Sequence, residues 1–131
     1  MKNHGLLNPD LNRAVARLGH TDVVVVADCG LPVPPHVPVI DLALVFGIPR
    51  FTEVLDALLA EIEVEGATVA DEIRDSPAHP WITSRLAPPA VPLRYVAHED
   101  LKCAVGTAAF VVRTGETTPY ANVLLRCGVP F

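Results

Sequence analysis

His20, Asp28, His98, Tyr120 and Asn122 are the residues whose types and settings suit acid/base work on a small polar ligand. His20 stands in Gly19-His20-Thr21-Asp22, between a helix pattern and a run of valines. An imidazole in such a loop can transfer protons near neutral pH. A hydrogen bond to the end of the preceding helix fits that placement equally well. Asp28 closes the run Val23–Ala27 and opens a Gly/Pro loop. Open α/β sheets bind ligands at such strand ends, which favours a functional carboxylate over a simple Asx turn. His98 has the same placement after Leu93–Ala97, with Lys102 one helical turn further on; a helix cap is the structural alternative. Tyr120 and Asn122 follow the apolar run Phe110–Thr114 and lie two residues apart, so an extended stretch points both to one side. Phenol and amide both donate and accept hydrogen bonds, which suits a polyhydroxylated ligand. Together these residues outline a sugar site that needs no cofactor.

Other chemistry-bearing residues read as structural. His4, His36 and His79 sit among loop residues and are expected to be solvated. Glu53, Asp56, Glu61, Glu63 and Glu65 read as the solvated face and end of a helix. Trp81, the single tryptophan, is expected to cover apolar surface rather than to stack on a sugar. No glycine-rich phosphate loop, dinucleotide fingerprint or nucleophile-elbow motif occurs, and no His/Cys/Asp/Glu spacing has the form of a metal box.

The elements that must position these residues alternate. Asn8-Pro9 marks a helix start, with apolar Leu11, Val15 and Leu18 at helical spacing and Gly19 as the stop. Val23–Ala27 reads as a buried central strand. Four prolines make Gly30–Pro38 a loop, and Val39–Leu44 reads as a strand. Pro49 opens a second helix with an apolar stripe of Val54, Leu55, Leu58, Leu59 and Ile62. Ala67–Ala70 reads as a strand, Trp81–Leu86 as a helix, Leu93–Ala97 as a strand and His98–Lys102 as a helix start. Ala109–Thr114 and Ala121–Leu125 close the chain as strands that can pair antiparallel. The pattern predicts a single α/β domain over 1–131, a three-layer sandwich with a mixed, mainly parallel central sheet.

Half of the 131 residues are hydrophobic and 19% are charged, an apolar balance for so small a chain. The surplus predicts subunit interfaces and hence a homo-oligomer. A net charge of −5 with no Lys/Arg cluster argues against nucleic acid. The first nine residues lack the apolar core of a signal peptide, and no run reaches the ~18–20 apolar residues of a membrane span. A cytoplasmic location is expected, with Cys29, Cys103 and Cys127 as free thiols.

With these residues placed, the chain resembles the family of D-ribose pyranases and L-fucose mutarotases nearly end to end. The resemblance runs through Gly5–Asn8, Leu18–Asp22, Ala27–Pro32, Ile40–Leu44, Gly47–Pro49, Val96–His98, Arg113–Glu116 and Pro119–Asn122. The loop Cys29–Pro34 looks like the ribose branch, although Cys29 and Thr117 stand where Ala and Cys are usual. The resemblance implies interconversion of the pyranose and furanose forms of D-ribose, supplying the furanose to ribokinase. It implies His20 as proton donor, and Asp28, His98, Tyr120, Ala121 and Asn122 as sugar-binding positions. It implies no metal or other cofactor, and a ring-shaped homo-oligomer, a decamer or pentamer.

One geometric expectation is added. His20 precedes the valine strand and Asp28 follows it, and eight extended steps span ~26 Å, well beyond a ribose. Either Thr21-Asp22 folds back sharply or His20 serves sugar bound by a neighbouring subunit; the shared site is preferred. The rival readings are an L-fucose mutarotase, a non-catalytic sugar-binding module and a structural ring protein whose polar turn residues only cap strands.

Overall fold

The computed structural model describes residues 1–87 and 90–131. Its eleven elements run α1 (Pro9–Ala16), β1 (Val23–Ala27), β2 (Val39–Asp41), α2 (Phe51–Leu59), β3 (Val64–Ala70), a 3-10 turn (Asp71–Asp75), α3 (Ala78–Leu86), β4 (Leu93–Val96), α4 (His98–Val105), β5 (Phe110–Arg113) and β6 (Val123–Cys127). The strands form one sheet in the order β2-β5-β1-β6-β3-β4. Only β6 runs against the rest, antiparallel to both β1 and β3. The expected pairing of the last two strands is therefore corrected: β5 and β6 lie on opposite sides of β1. Parallel β5 carries on one side the hydrogen bonds that reversed β6 carries on the other. The mixed, mainly parallel sheet stands.

β1 is central because its β-branched residues alternate between two cores. Val24 and Val26 pack into the larger core with α1, α2 and α3, through Leu11, Phe51, Leu55, Leu58 and Ile82. Val25 and Ala27 face the smaller core of Leu31, Val37 and α4 residues Leu101 and Val105. Layers on both faces exclude water from the strand, which a run of valines requires and rewards. Trp81 packs at the margin of the larger core, as expected.

Helix ends follow local chemistry. Asn8 caps α1 by accepting the Leu11 N–H at 2.9 Å, and Pro9 fills the first turn. α1 nonetheless ends at Ala16, ahead of the expected Gly19 stop, because the chain turns to reach β1. β2 covers only Val39–Asp41; beyond it, residues 44–48 close a tight loop through a Val45–Ile48 bridge. α2 begins at Phe51 rather than Pro49, with the Arg50 N–H held by Glu53.

Since five strands share a direction, the carboxyl ends of β1, β3, β4 and β5 lie along one edge of the sheet, together with the start of β6. The opposite, amino edge gathers the segment before β1, the end of β6 and the start of β3.

Candidate functional site

Four of the expected residues meet at the carboxyl edge. Asp28, His98, Tyr120 and Asn122 line one recess of about 300 Å³, with Gly30, Leu31, Pro32 and Pro119 completing its wall. That volume suits a monosaccharide. A larger recess, about 620 Å³, lies between α1 and β2. There Arg13 pairs with Asp10 at 2.9 Å and Asp41 pairs with Arg113.

Asp28 is fixed from both sides. Its backbone N–H donates to Asn122 Oδ1 at 2.8 Å, and Asn122 Nδ2 donates to Asp28 Oδ2 at 2.9 Å. Its other oxygen, Oδ1, accepts the Gly30 N–H at 2.9 Å. The Asx turn and the functional setting are thus one structure, since a single oxygen makes the turn. Asn122 is only 1% exposed, so its amide orients Asp28 more than it faces solvent.

Tyr120 departs from the extended geometry expected of it. Its φ is 64°, a left-handed conformation uncommon outside glycine. The reversal, rather than strand alternation, is what brings Tyr120 and Asn122 to the same recess. The Tyr120 ring meets the His98 ring edge-on, with centroids 5.2 Å apart. His98 opens α4, and both oxygens of Glu72 accept its backbone N–H at 3.2 and 3.0 Å, an acidic cap on the helix. His98 Nδ1 is buried with no hydrogen-bond partner among the described residues. Ala121 is fully buried in the larger core and does not line the recess.

Glu116 lies three residues from Arg113, close enough in sequence for the two to pair. Arg113 instead pairs with Asp41 of β2. Glu116 is 3% exposed and accepts from the N–H groups of Phe51, Thr117 and Thr118 and from the Thr118 hydroxyl. Burial alone pushes this carboxyl up, but the donors of Thr118, Phe51 and Thr117 outweigh it and hold the group below the usual glutamate range. Lys102 pairs with Glu99 at 2.7 Å. The three histidines expected to be solvated all have partners: His79 Nε2 meets the Tyr95 hydroxyl and His36 Nε2 the Gly106 carbonyl, each at 2.8 Å, and His4 Nδ1 meets Asn3 Oδ1 at 2.5 Å.

His20 lies at the amino edge, away from the other four. Its loop is tied to the end of β6, with the Thr21 N–H donating to the Cys127 carbonyl at 2.9 Å. His20 Nε2 stands 2.9 Å from Glu65 Oε2, a carboxylate partner rather than the helix end considered as the alternative. Residues 19–22 make a tight turn, the Asp22 N–H donating to the Gly19 carbonyl at 3.2 Å, but it leaves His20 at the amino edge, so the length of β1 separates His20 from Asp28 within one chain. Among the described residues, no group of His, Cys, Asp and Glu is arranged to hold a metal ion.

The model of the RbsD / FucU transport protein family matches residues 1–130. The chain is 58% identical to the D-ribose pyranase of Cutibacterium acnes over 131 residues, covering all of both chains. It is 53% identical to that of Corynebacterium glutamicum over the same span. Among solved structures, Bacillus subtilis RbsD complexed with D-ribose superposes with a TM-score of 0.94 at 42% identity, covering both chains fully. The fucose mutarotase of Streptococcus pneumoniae, in complex with L-fucose, shares the fold with a TM-score of 0.80 at 23% identity, over 95% of this chain and 94% of that one.

Proposed function

The chain belongs to the RbsD / FucU transport protein family, and from that premise we propose that it interconverts the pyranose and furanose forms of D-ribose. It is an isomerase of the D-ribose pyranase kind, and its furanose product is the form that ribokinase would consume. The observation that carries this reading is the convergence of Asp28, His98, Tyr120 and Asn122 on one sugar-sized recess, in a chain so similar to D-ribose pyranases.

The chemistry needs little machinery. A proton goes to the ring oxygen, another leaves the anomeric hydroxyl, and the C1–O bond of the ring breaks to give the open aldehyde. Closure through the C4 hydroxyl in place of the C5 hydroxyl gives the furanose. The step involves no change of oxidation state and no covalent enzyme intermediate. His20 donates to the ring oxygen and reverses that role on closure; Asp28 or a bound water accepts the anomeric proton. A positioned acid/base contributes ~10²–10⁴-fold. Tyr120 and Asp28 take sugar hydroxyls, and the unpartnered His98 Nδ1 gains a partner from one. Buried Asn122 supports Asp28, and Ala121 contributes through its main chain.

Because His20 and the recess lie at opposite sheet edges, His20 of one subunit serves the recess of the next in a ring-shaped homo-oligomer. The exposed apolar residues Leu44, Val45, Phe46 and Ile48 supply surface for such contacts. Among the described residues no helix is long and apolar enough to cross a membrane. The proposed location is the cytoplasm. Saturation-exchange NMR on D-ribose tests the reading. The native chain transfers saturation between the pyranose and furanose anomeric signals, and His20→Ala does not. Equal transfer by His20→Ala would remove His20 from the mechanism, and no transfer by the native chain would remove the activity.

A further inference from the structure

His20 has a built-in partner that the chemistry above does not use. Glu65 Oε2 stands 2.9 Å from His20 Nε2, while Oε1 takes the Arg126 Nε–H at 2.7 Å. The hydrogen bond to His20, ahead of the contact with Arg126, holds the Glu65 carboxyl below its usual range, so it is ionised.

Local backbone irregularities create this contact. The register of β3 against β6 shifts between Val64 and Gly66, which makes Glu65 the extra residue of a bulge. Bulges re-aim side chains and are frequent beside working sites. On the other side, Thr21 has a φ of 70° although it is β-branched. Such a conformation persists only where the surroundings impose it. The clamp here is double: the Thr21 N–H donates to the Cys127 carbonyl, and the Cys127 N–H to the Asp22 carbonyl at 2.8 Å. Gly128 leaves room for the carboxylate's stem, since a Cβ there would lie 3.1 Å from Glu65 Cβ. Segments 19–22, 63–66 and 126–128 thus hold one imidazole against one carboxylate.

We infer that Glu65 is a positioning residue for His20, keeping the proton on Nε2 so that Nδ1 is the atom that works on the sugar. The inference rests on the reading of His20 as the acid/base group. A neutral imidazole carries one N–H, and a carboxylate facing Nε2 can only accept, so the proton stays there and Nδ1 keeps its lone pair. With the Nε2–H held by Glu65, Nδ1 carries the exchanging proton: it gives that proton to the ring oxygen on opening and takes one back on closure.

The test compares Glu65→Ala and Glu65→Gln with the native chain and His20→Ala. Nitrogen-15 NMR reads the His20 tautomer, and saturation exchange on D-ribose reads kcat and KM. When the native imidazole is neutral, its proton sits on Nε2 and Nδ1 is bare. Glu65→Ala gives a tautomer mixture and a kcat lower by on the order of tenfold, part of what a positioned acid/base supplies, with KM nearly unchanged. Glu65→Gln, whose amide oxygen still accepts from Nε2, restores the native tautomer and most of kcat. Native kcat or an unaltered tautomer in Glu65→Ala overturns the role of Glu65. So does a loss confined to KM, or one that Gln fails to rescue. Full exchange by His20→Ala overturns the underlying assignment instead.

Discussion

Asn122 turns both ends of its amide toward a residue 94 positions away in the chain, accepting from the Asp28 N–H and donating to its carboxylate. Its residue type suggested sugar binding; its partner was not legible, because no local pattern encodes a contact made across β1 and β6. Tyr120 repeats the lesson, since a non-glycine φ of 64° leaves no trace in spacing. Asp28 was legible, because a carboxylate ending a valine strand before a Gly/Pro loop marks a strand end at a ligand edge. If Asn122 orients Asp28, Asn122→Asp should reverse that role by setting two carboxylates at hydrogen-bond distance. Like charges so close cannot both ionise comfortably. Ribose binding by NMR titration should weaken roughly tenfold or more near pH 8 and recover toward pH 5, as one proton comes to bridge the pair. Binding that is weak at every pH would show that the amide itself is the ligand contact.

At the scale of elements, the order of helices and strands was legible because each core-facing stretch keeps one period, as the stripe Val54, Leu55, Leu58 does on α2. The neighbours of each strand were not: β5 and β6 are close in sequence, yet both pair with β1. What holds their connection in place is Glu116. It ties the turn to the first N–H of α2, beside Gly115, where a Cβ would lie 2.5 Å from the Ile48 carbonyl oxygen. A folded-state pKa held below 4.5 means that this carboxylate stabilises the fold above that value. The contribution is lost as the pH falls through the folded-state pKa. Glu116→Gln should therefore cost about 1–3 kcal/mol at pH 7, as buried hydrogen bonds to a charge do. Thermal unfolding across pH should show the gap between native and variant narrowing as the pH falls below the ordinary glutamate range and the native carboxylate itself becomes protonated. A gap that does not change with pH would mean that Glu116 acts through packing alone.

At the scale of the whole molecule, the sheet separates the two halves of the proposed site. The sugar recess occupies the carboxyl edge, where the apolar 44–48 loop also stands, with Phe46 83% exposed. His20 and Glu65 occupy the amino edge, near exposed Val129 and Phe131. In the proposed shared site these two different faces meet, which makes the contact head-to-tail, and a head-to-tail contact that closes makes a ring. The apolar composition led to the expectation of a homo-oligomer, and in the single chain Leu7, Leu44, Val45, Phe46 and Phe131 are exposed. The consequence is specific. A His20→Ala subunit keeps an intact recess, and an Asp28→Ala subunit keeps an intact His20. Each assembly alone should be inactive. Co-expressed in equal amounts with distinct tags, the two should form rings in which a junction works when the first supplies the recess and the second the imidazole. Random assembly places that combination at about a quarter of the junctions, so about a quarter of native exchange should return. A mixed ring, verified by carrying both tags, that remains inactive would require His20 and Asp28 to act within one chain; β1 holds them too far apart for that, so the assignment of His20 would fall with the shared site.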